Sequence, residues 1–228
     1  MLGLKFAKSP YAYHSIGSCI ALDPLTYIKI GGMNKKKAGE DFYFLEKAAK
    51  LKEVVSIDTT TVYPSSRKSW RVPFGTGQRM TRFYEKIRDE YVLYNPKSFV
   101  VLRDFLRQYF SEDLISPEEL LVKTKSISNS LYEYLIINNF KSDQQKIIDN
   151  SKTLEQLNHQ KKIWFDAFKT LKLIHYLRDT DYPEQAMFTA LNSMIDMHEI
   201  TDFDKHISEN LPPLEIQIEY LNLLRRLT

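Results

Sequence analysis

The sequence predicts an α+β chain that is predominantly helical, with a small partial sheet region in front and an all-α region behind. Three observations carry this prediction. All seven glycines fall at or before Gly77, so positive-φ turns and close backbone approaches are confined to the front. Runs rich in β-branched residues also lie in the front, ahead of Gly77. Behind it, apolar residues recur every three or four positions, the period of a helix that buries one face. The expected division is therefore residues 1–82 as a front region and residues 83–228 as a helical region.

In the front region, residues 15–22 read as a buried strand stopped by Asp23-Pro24. A short helix over 25–30 leads into Gly31-Gly32. Residues 41–51 place Phe42, Leu45, Ala48 and Ala49 at helical spacing. The β-branched runs 53–57 and 60–63 read as strands, and 64–77 as an ordered loop. Two to four front strands are expected in all, leaving a sheet edge that the helices or a second chain would cover.

In the back region a helix is expected over 78–91. Pro96 opens the next, with Phe99, Leu102, Leu106 and Tyr109 on one stripe. Ser116-Pro117-Glu118-Glu119 is a strong helix start, with a serine cap, proline in the first turn and acids at the positive dipole end. Its stripe continues through Leu120, Thr124, Ile127, Leu131 and Leu135. One long helix is expected over 142–178, turning Leu157, Trp164, Phe168 and Leu171 inward. Tyr182-Pro183 breaks it, and helices over 184–197 and 214–227 follow, for five to seven helices behind the boundary.

Composition narrows the function. Hydrophobic residues make up 43% and charged residues 27% of 228 residues, enough to build a packed core. The lone cysteine, Cys19, allows no internal disulfide and fits a reducing, cytoplasmic compartment; its apolar strand suggests a buried, inert thiol. No apolar run approaches the roughly 20 residues of a membrane span, and Met1 to Phe6 is charged too early for a signal peptide. Residues 1–82 carry 14 Lys/Arg against 6 Asp/Glu, and residues 83–228 carry 18 against 23. A basic front suits an anionic ligand such as a diphosphate, or peripheral attachment at the inner face of a membrane. Nucleic acid would suit it too, but no recognition motif accompanies the charge, and none is expected as a partner.

Three elements in fixed order carry the chemistry. The first is His14-Ser15-Ile16-Gly17-Ser18. The second is Gly31-Gly32-Met33, seven residues before Gly39-Glu40-Asp41 at a helix start. The third is Arg67-Lys68-Ser69-Trp70-Arg71 running into Phe74-Gly75-Thr76-Gly77. A carboxylate on a first helical turn sits where the dipole favours negative charge, and it can accept a proton. Guanidinium forks and backbone amides in a glycine-rich loop match phosphate oxygens.

This ordered set resembles the acceptor-side, C-terminal half of family 2 glycosyltransferases of the GT-A fold, over about the first 80 residues. The resemblance implies a GT-A-like sheet region and an inverting sugar transferase. It assigns Asp41 as general base and Glu40 as the neighbour that orients the acceptor. Arg71, Arg67, His14, Ser18, Gly75, Thr76 and Gly77 are the expected substrate contacts. The partners it implies are a nucleotide-sugar and a glycan or other hydroxyl acceptor.

Members of that family also carry a front half with a nucleotide-binding βαβ unit and an Asp-x-Asp that holds a divalent cation, Mg or Mn. Only 13 residues precede His14, so the expectation is a chain that holds no cation and turns over little alone. It would be completed by an N-terminal half or act within a homo-oligomer. Asp179-Thr180-Asp181 and Asp202-Phe203-Asp204 match the short pattern but lie after the base and at helix boundaries, and are read as decoys. His198-Glu199-Ile200-Thr201-Asp202 lacks the second histidine of a zinc-protease helix. His159 and His175 are read as ordinary helix residues. The competing reading is a non-catalytic helical interaction module that retains a glycosyltransferase remnant.

Overall fold

The structure, a computed structural model, describes residues 1–15, 19–34, 39–57, 59–63, 65, 68, 75–87, 89–111, 115–208 and 210–228. The described residues form twelve helices and one two-stranded ladder. The chain divides into two compact units. One is Tyr13–Tyr91; the other joins Met1–Ala12 to Val92–Thr228. The division thus falls nine residues beyond the one read from the sequence, and the first twelve residues pack with the helical unit rather than the front.

Among its described residues the front unit holds three helices. Helix α2 spans Pro24–Lys29, α3 Glu40–Leu51 and α4 Thr76–Tyr84; α1, Leu2–Phe6, belongs to the helical unit. The strands expected over 15–22, 53–57 and 60–63 do not form among the described residues. β-branched residues favour extended backbone, but a strand is stable only with a neighbour to complete its ladder. Val55 and Ile57 stand 78% and 66% exposed, so the run finds neither a paired edge nor a covered face. Helix α4 is shorter than expected, because Glu85 caps it and Lys86 turns left-handed at φ 51°.

The helical unit contains α5 (Pro96–Tyr109), α6 (Pro117–Ile127), α7 (Asn129–Ile137), α8 (Phe140–Asn150), α9 (Leu154–Trp164), α10 (Ala167–Thr180), α11 (Met187–Met197) and α12 (Leu214–Leu227). Among the described residues eight helices follow residue 91, where five to seven were expected behind the boundary. Local chemistry accounts for the extra breaks. Ser128 ends α6 in extended backbone and then caps α7, its hydroxyl accepting from the Leu131 amide at 3.2 Å. The single helix expected over 142–178 is three. Thr153 caps α9 and Asp166 caps α10, each accepting the amide three residues on.

Each break shifts the phase of the buried stripe. Leu157 is buried and Trp164 packs on the core as expected, but Phe168 and Leu171 face outward. Thr170, Leu173, Ile174 and Leu177 take the inner face of α10 instead. The stripe of α5 holds: Leu102, Leu106 and Tyr109 are buried and Phe99 packs against them. Leu131 and Leu135 from α7, Phe140 from α8 and Leu173 from α10 complete a core in which the Phe105 and Phe165 rings meet edge-on at 4.9 Å.

The one ladder among the described residues pairs β1, Val92–Leu93, antiparallel with β2, Gln185–Ala186, setting Val92 against Ala186. A second core joins Leu191 and Ile195 of α11 to Tyr220 and Leu223 of α12. No helix among the described residues is long and apolar enough to cross a membrane.

Candidate functional site

The site builds outward from the pair of helices α2 and α3. Asp23 caps α2, accepting from the Thr26 amide at 2.9 Å and the Thr26 hydroxyl at 2.6 Å. Those two bonds, with the Lys52 ammonium 3.0 Å away, hold the Asp23 carboxyl well below the usual carboxylate range. At the other end of α2, the Gly31 amide bonds the Ile28 carbonyl and the Gly32 amide bonds that of Tyr27, both at 3.0 Å. This is the double bond pattern of a Schellman stop. It requires left-handed backbone, and the two glycines take φ 72° and 66°.

The glycine turn is tied to α3 by Lys47, whose ammonium donates to the Ile30 carbonyl and to Asn34, each at 3.3 Å. Beneath it Ile30, Phe44 and Ala48 are buried together, with Tyr27 tilted on Phe44 at 5.9 Å between ring centres. Gly39, left-handed at φ 75°, then starts α3, so that Glu40 and Asp41 occupy its first turn. Both are half-buried, and Asp41 Oδ1 accepts the Phe42 amide at 2.8 Å. The sequence elements Gly31-Gly32 and Glu40-Asp41 are therefore joined through one small helix pair.

The remaining expected contacts are distributed as follows. Gly75, at φ 99°, caps α4, and Thr76 and Gly77 are the first residues of that helix rather than the end of a loop. The Gly77 carbonyl accepts the Thr81 hydroxyl at 3.0 Å. His14 is exposed, and Cys19 is exposed rather than buried. Ser18, Arg67 and Arg71 lie outside the described residues.

Sequence reasoning missed two features. Lys47 reads as an ordinary surface lysine until its reach to the glycine turn is seen. The Asp23-Pro24-Leu25-Thr26 cap was readable, since proline and a hydroxyl in the first turn behind an aspartate are its signature.

Of the two Asp-x-Asp segments, the first lies at the end of α10 and the second in the coil between α11 and α12. Asp179 takes both of its oxygens to Arg178, at 2.7 and 2.9 Å, and Asp181 caps α10 and accepts from Ser128. His198 ends α11 and Glu199 turns left-handed at φ 57°, which puts Asp202 outside that helix. Among the described residues no group of three or more His, Cys, Asp or Glu could hold a metal ion. No known protein family, curated protein or solved structure matches the chain.

Proposed function

We propose that the chain is the acceptor-side part of an inverting glycosyltransferase, moving a sugar from a nucleotide-sugar to a hydroxyl acceptor with Asp41 as base. The observation that carries the reading is the helix pair just described. Two left-handed glycines stop α2, a third starts α3, and Glu40 and Asp41 occupy the first turn that follows. A carboxylate there is fixed by backbone rather than by a mobile loop.

In the proposed reaction the Asp41 carboxylate takes the proton of the acceptor hydroxyl as that oxygen attacks the anomeric carbon. The new C–O bond forms as the bond to the diphosphate breaks, and the nucleoside diphosphate leaves with its electron pair. Arg71 and Arg67 would meet the charge that develops on the leaving group. Glu40 would orient the acceptor. A divalent cation, where one takes part, would offset the charge that develops on the leaving diphosphate.

The exposed faces of the front unit support the reading as part of a larger catalytic assembly. Leu25 and Ile28 on α2 stand 70% and 72% exposed, and Val55, Ile57 and Tyr63 are bare as well. Apolar surface of this extent is what a domain shows along a face that further polypeptide covers. A cytoplasmic setting, at the inner face of a membrane, fits the single cysteine and the basic front.

The test is Asp41→Asn introduced at the native locus, followed by mass spectrometry of the cell's glycans and glycoconjugates. Loss of one sugar linkage, with the variant at normal abundance, is the expected result. An unchanged glycan profile removes Asp41 from the base role. It would favour the second reading, a helical interaction module, which draws on the bare outer face of α12.

A further inference from the structure

Helix α12 is apolar on two sides. Its inner side places Tyr220 and Leu223 in the core with α11, supported by Ile216, Leu224 and Leu227. Its outer side carries Leu214, Ile218 and Leu221, which stand 65%, 47% and 47% exposed. These positions are four and three residues apart, the spacing of a helix–helix seam. An exposed apolar stripe on a helix that already buries its other apolar side marks a contact surface. Leu211, just ahead of the helix, is 52% exposed as well.

The charges beside that stripe are segregated. Glu215 and Glu219 lie in the N-terminal half, and Arg225 and Arg226 in the last turn, all four exposed. We propose that α12 pairs antiparallel with α12 of a second copy of the chain. Setting Ile218 against Leu221 of the second copy, and the reverse, places each Leu214 on the aliphatic stem of the opposite Arg225. It also brings each Glu215 alongside the opposite Arg225 and Arg226, and opposes the two helix dipoles. A parallel pair would instead stack acid on acid and base on base. An anionic bilayer is the poorer occupant, because the acidic half of the face would be repelled. A contact made by one helix pair belongs to the small class of interfaces, below about 1,200 Å², so a dimer in the micromolar range is expected.

The experiment is sedimentation velocity of the full chain from roughly 1 to 100 μM, spanning that micromolar range, with far-UV circular dichroism as the check on folding. The wild type should pass from monomer to dimer. Leu221→Lys should weaken dimerisation more than tenfold at unchanged helicity. Glu215→Arg and Arg225→Glu should each weaken it severalfold, and the two together should recover part of the loss, since the double exchange recreates the 215–225 cross-pairs although Arg226 then faces an arginine. A wild type monomeric throughout overturns the proposal, as does a dimer indifferent to Leu221→Lys or a double variant no better than the singles. A monomer retained on vesicles of phosphatidylcholine and phosphatidylglycerol would show a lipid surface as the occupant instead.

Discussion

Gly31 and Gly32 offer the sharpest test of how the candidate site is held. At Gly31 the backbone is left-handed at φ 72°, and an added Cβ would meet nothing within 4 Å. Gly31→Ala therefore has one cost, the strain of an L-residue in left-handed backbone, about 1–2 kcal/mol. Gly31→Asn should cost roughly half of that, because a short polar side chain tolerates the conformation. At Gly32, φ is 66° and a Cβ would lie 3.0–3.2 Å from the ring and hydroxyl of Tyr27. Gly32→Ala adds displacement of that ring to the same strain, and the ring rests on Phe44 of α3. It should be the most damaging of the three. Hydrogen exchange read by mass spectrometry on the peptides of α2 and α3 isolates the effect from the rest of the chain. Protection there should fall about 5–30-fold in Gly31→Ala, the equivalent of 1–2 kcal/mol, and less in Gly31→Asn. Wild-type exchange in Gly31→Ala, or greater loss in Asn than in Ala, would refute the account of the turn.

Further outcomes follow from the helical unit. Phe105 is fully buried against Tyr109, Phe140 and Phe165, so Phe105→Ala should destabilise that unit by about 3–5 kcal/mol in urea unfolding, and a loss near zero would contradict the packing. Burial, with Arg178 and Lys172 nearby, holds the His175 imidazole below its ordinary pKa against the opposing pull of Asp179 and Glu184, while Tyr94 meets its Nε2 at 2.8 Å. The unfolded chain then takes up a proton near pH 6.5 that the folded chain refuses, so stability falls as pH drops below that value and levels off once the folded pKa is passed. Thermal melts of His175→Gln should fall less than wild type between about pH 7 and pH 5; parallel curves would show that His175 does not contribute.

Much of the helical architecture was legible in local chemistry. Ser116 and Pro117 mark the start of α6, Pro96 that of α5, and α12 runs over the residues its period indicated. The splitting of 142–178 was not legible, because the residues that break it, Ser151 to Thr153 and Asp166, are as acceptable on a solvated helix face as at a cap. Once split, the phase of the stripe was lost, and Phe168 and Leu171 changed sides. The front strands failed for a different reason. β-branched composition reports a preference for extended backbone, whereas a ladder depends on a partner that no local window contains. The glycine turn and the acidic first turn of α3 could be read because their chemistry is local; the Lys47 tie between them spans seventeen residues and could not.

The central claim, that Asp41 is a proton acceptor in sugar transfer, is tested most directly by rate. The chain, joined to whatever segment supplies the nucleotide site, would be given a panel of nucleotide-sugars and the acceptor identified from the altered glycan. Single-turnover transfer by Asp41→Asn should fall by about 10²–10⁴-fold, the range for loss of a positioned base, with nucleotide-sugar affinity unchanged. Transfer within twofold of wild type would contradict the account.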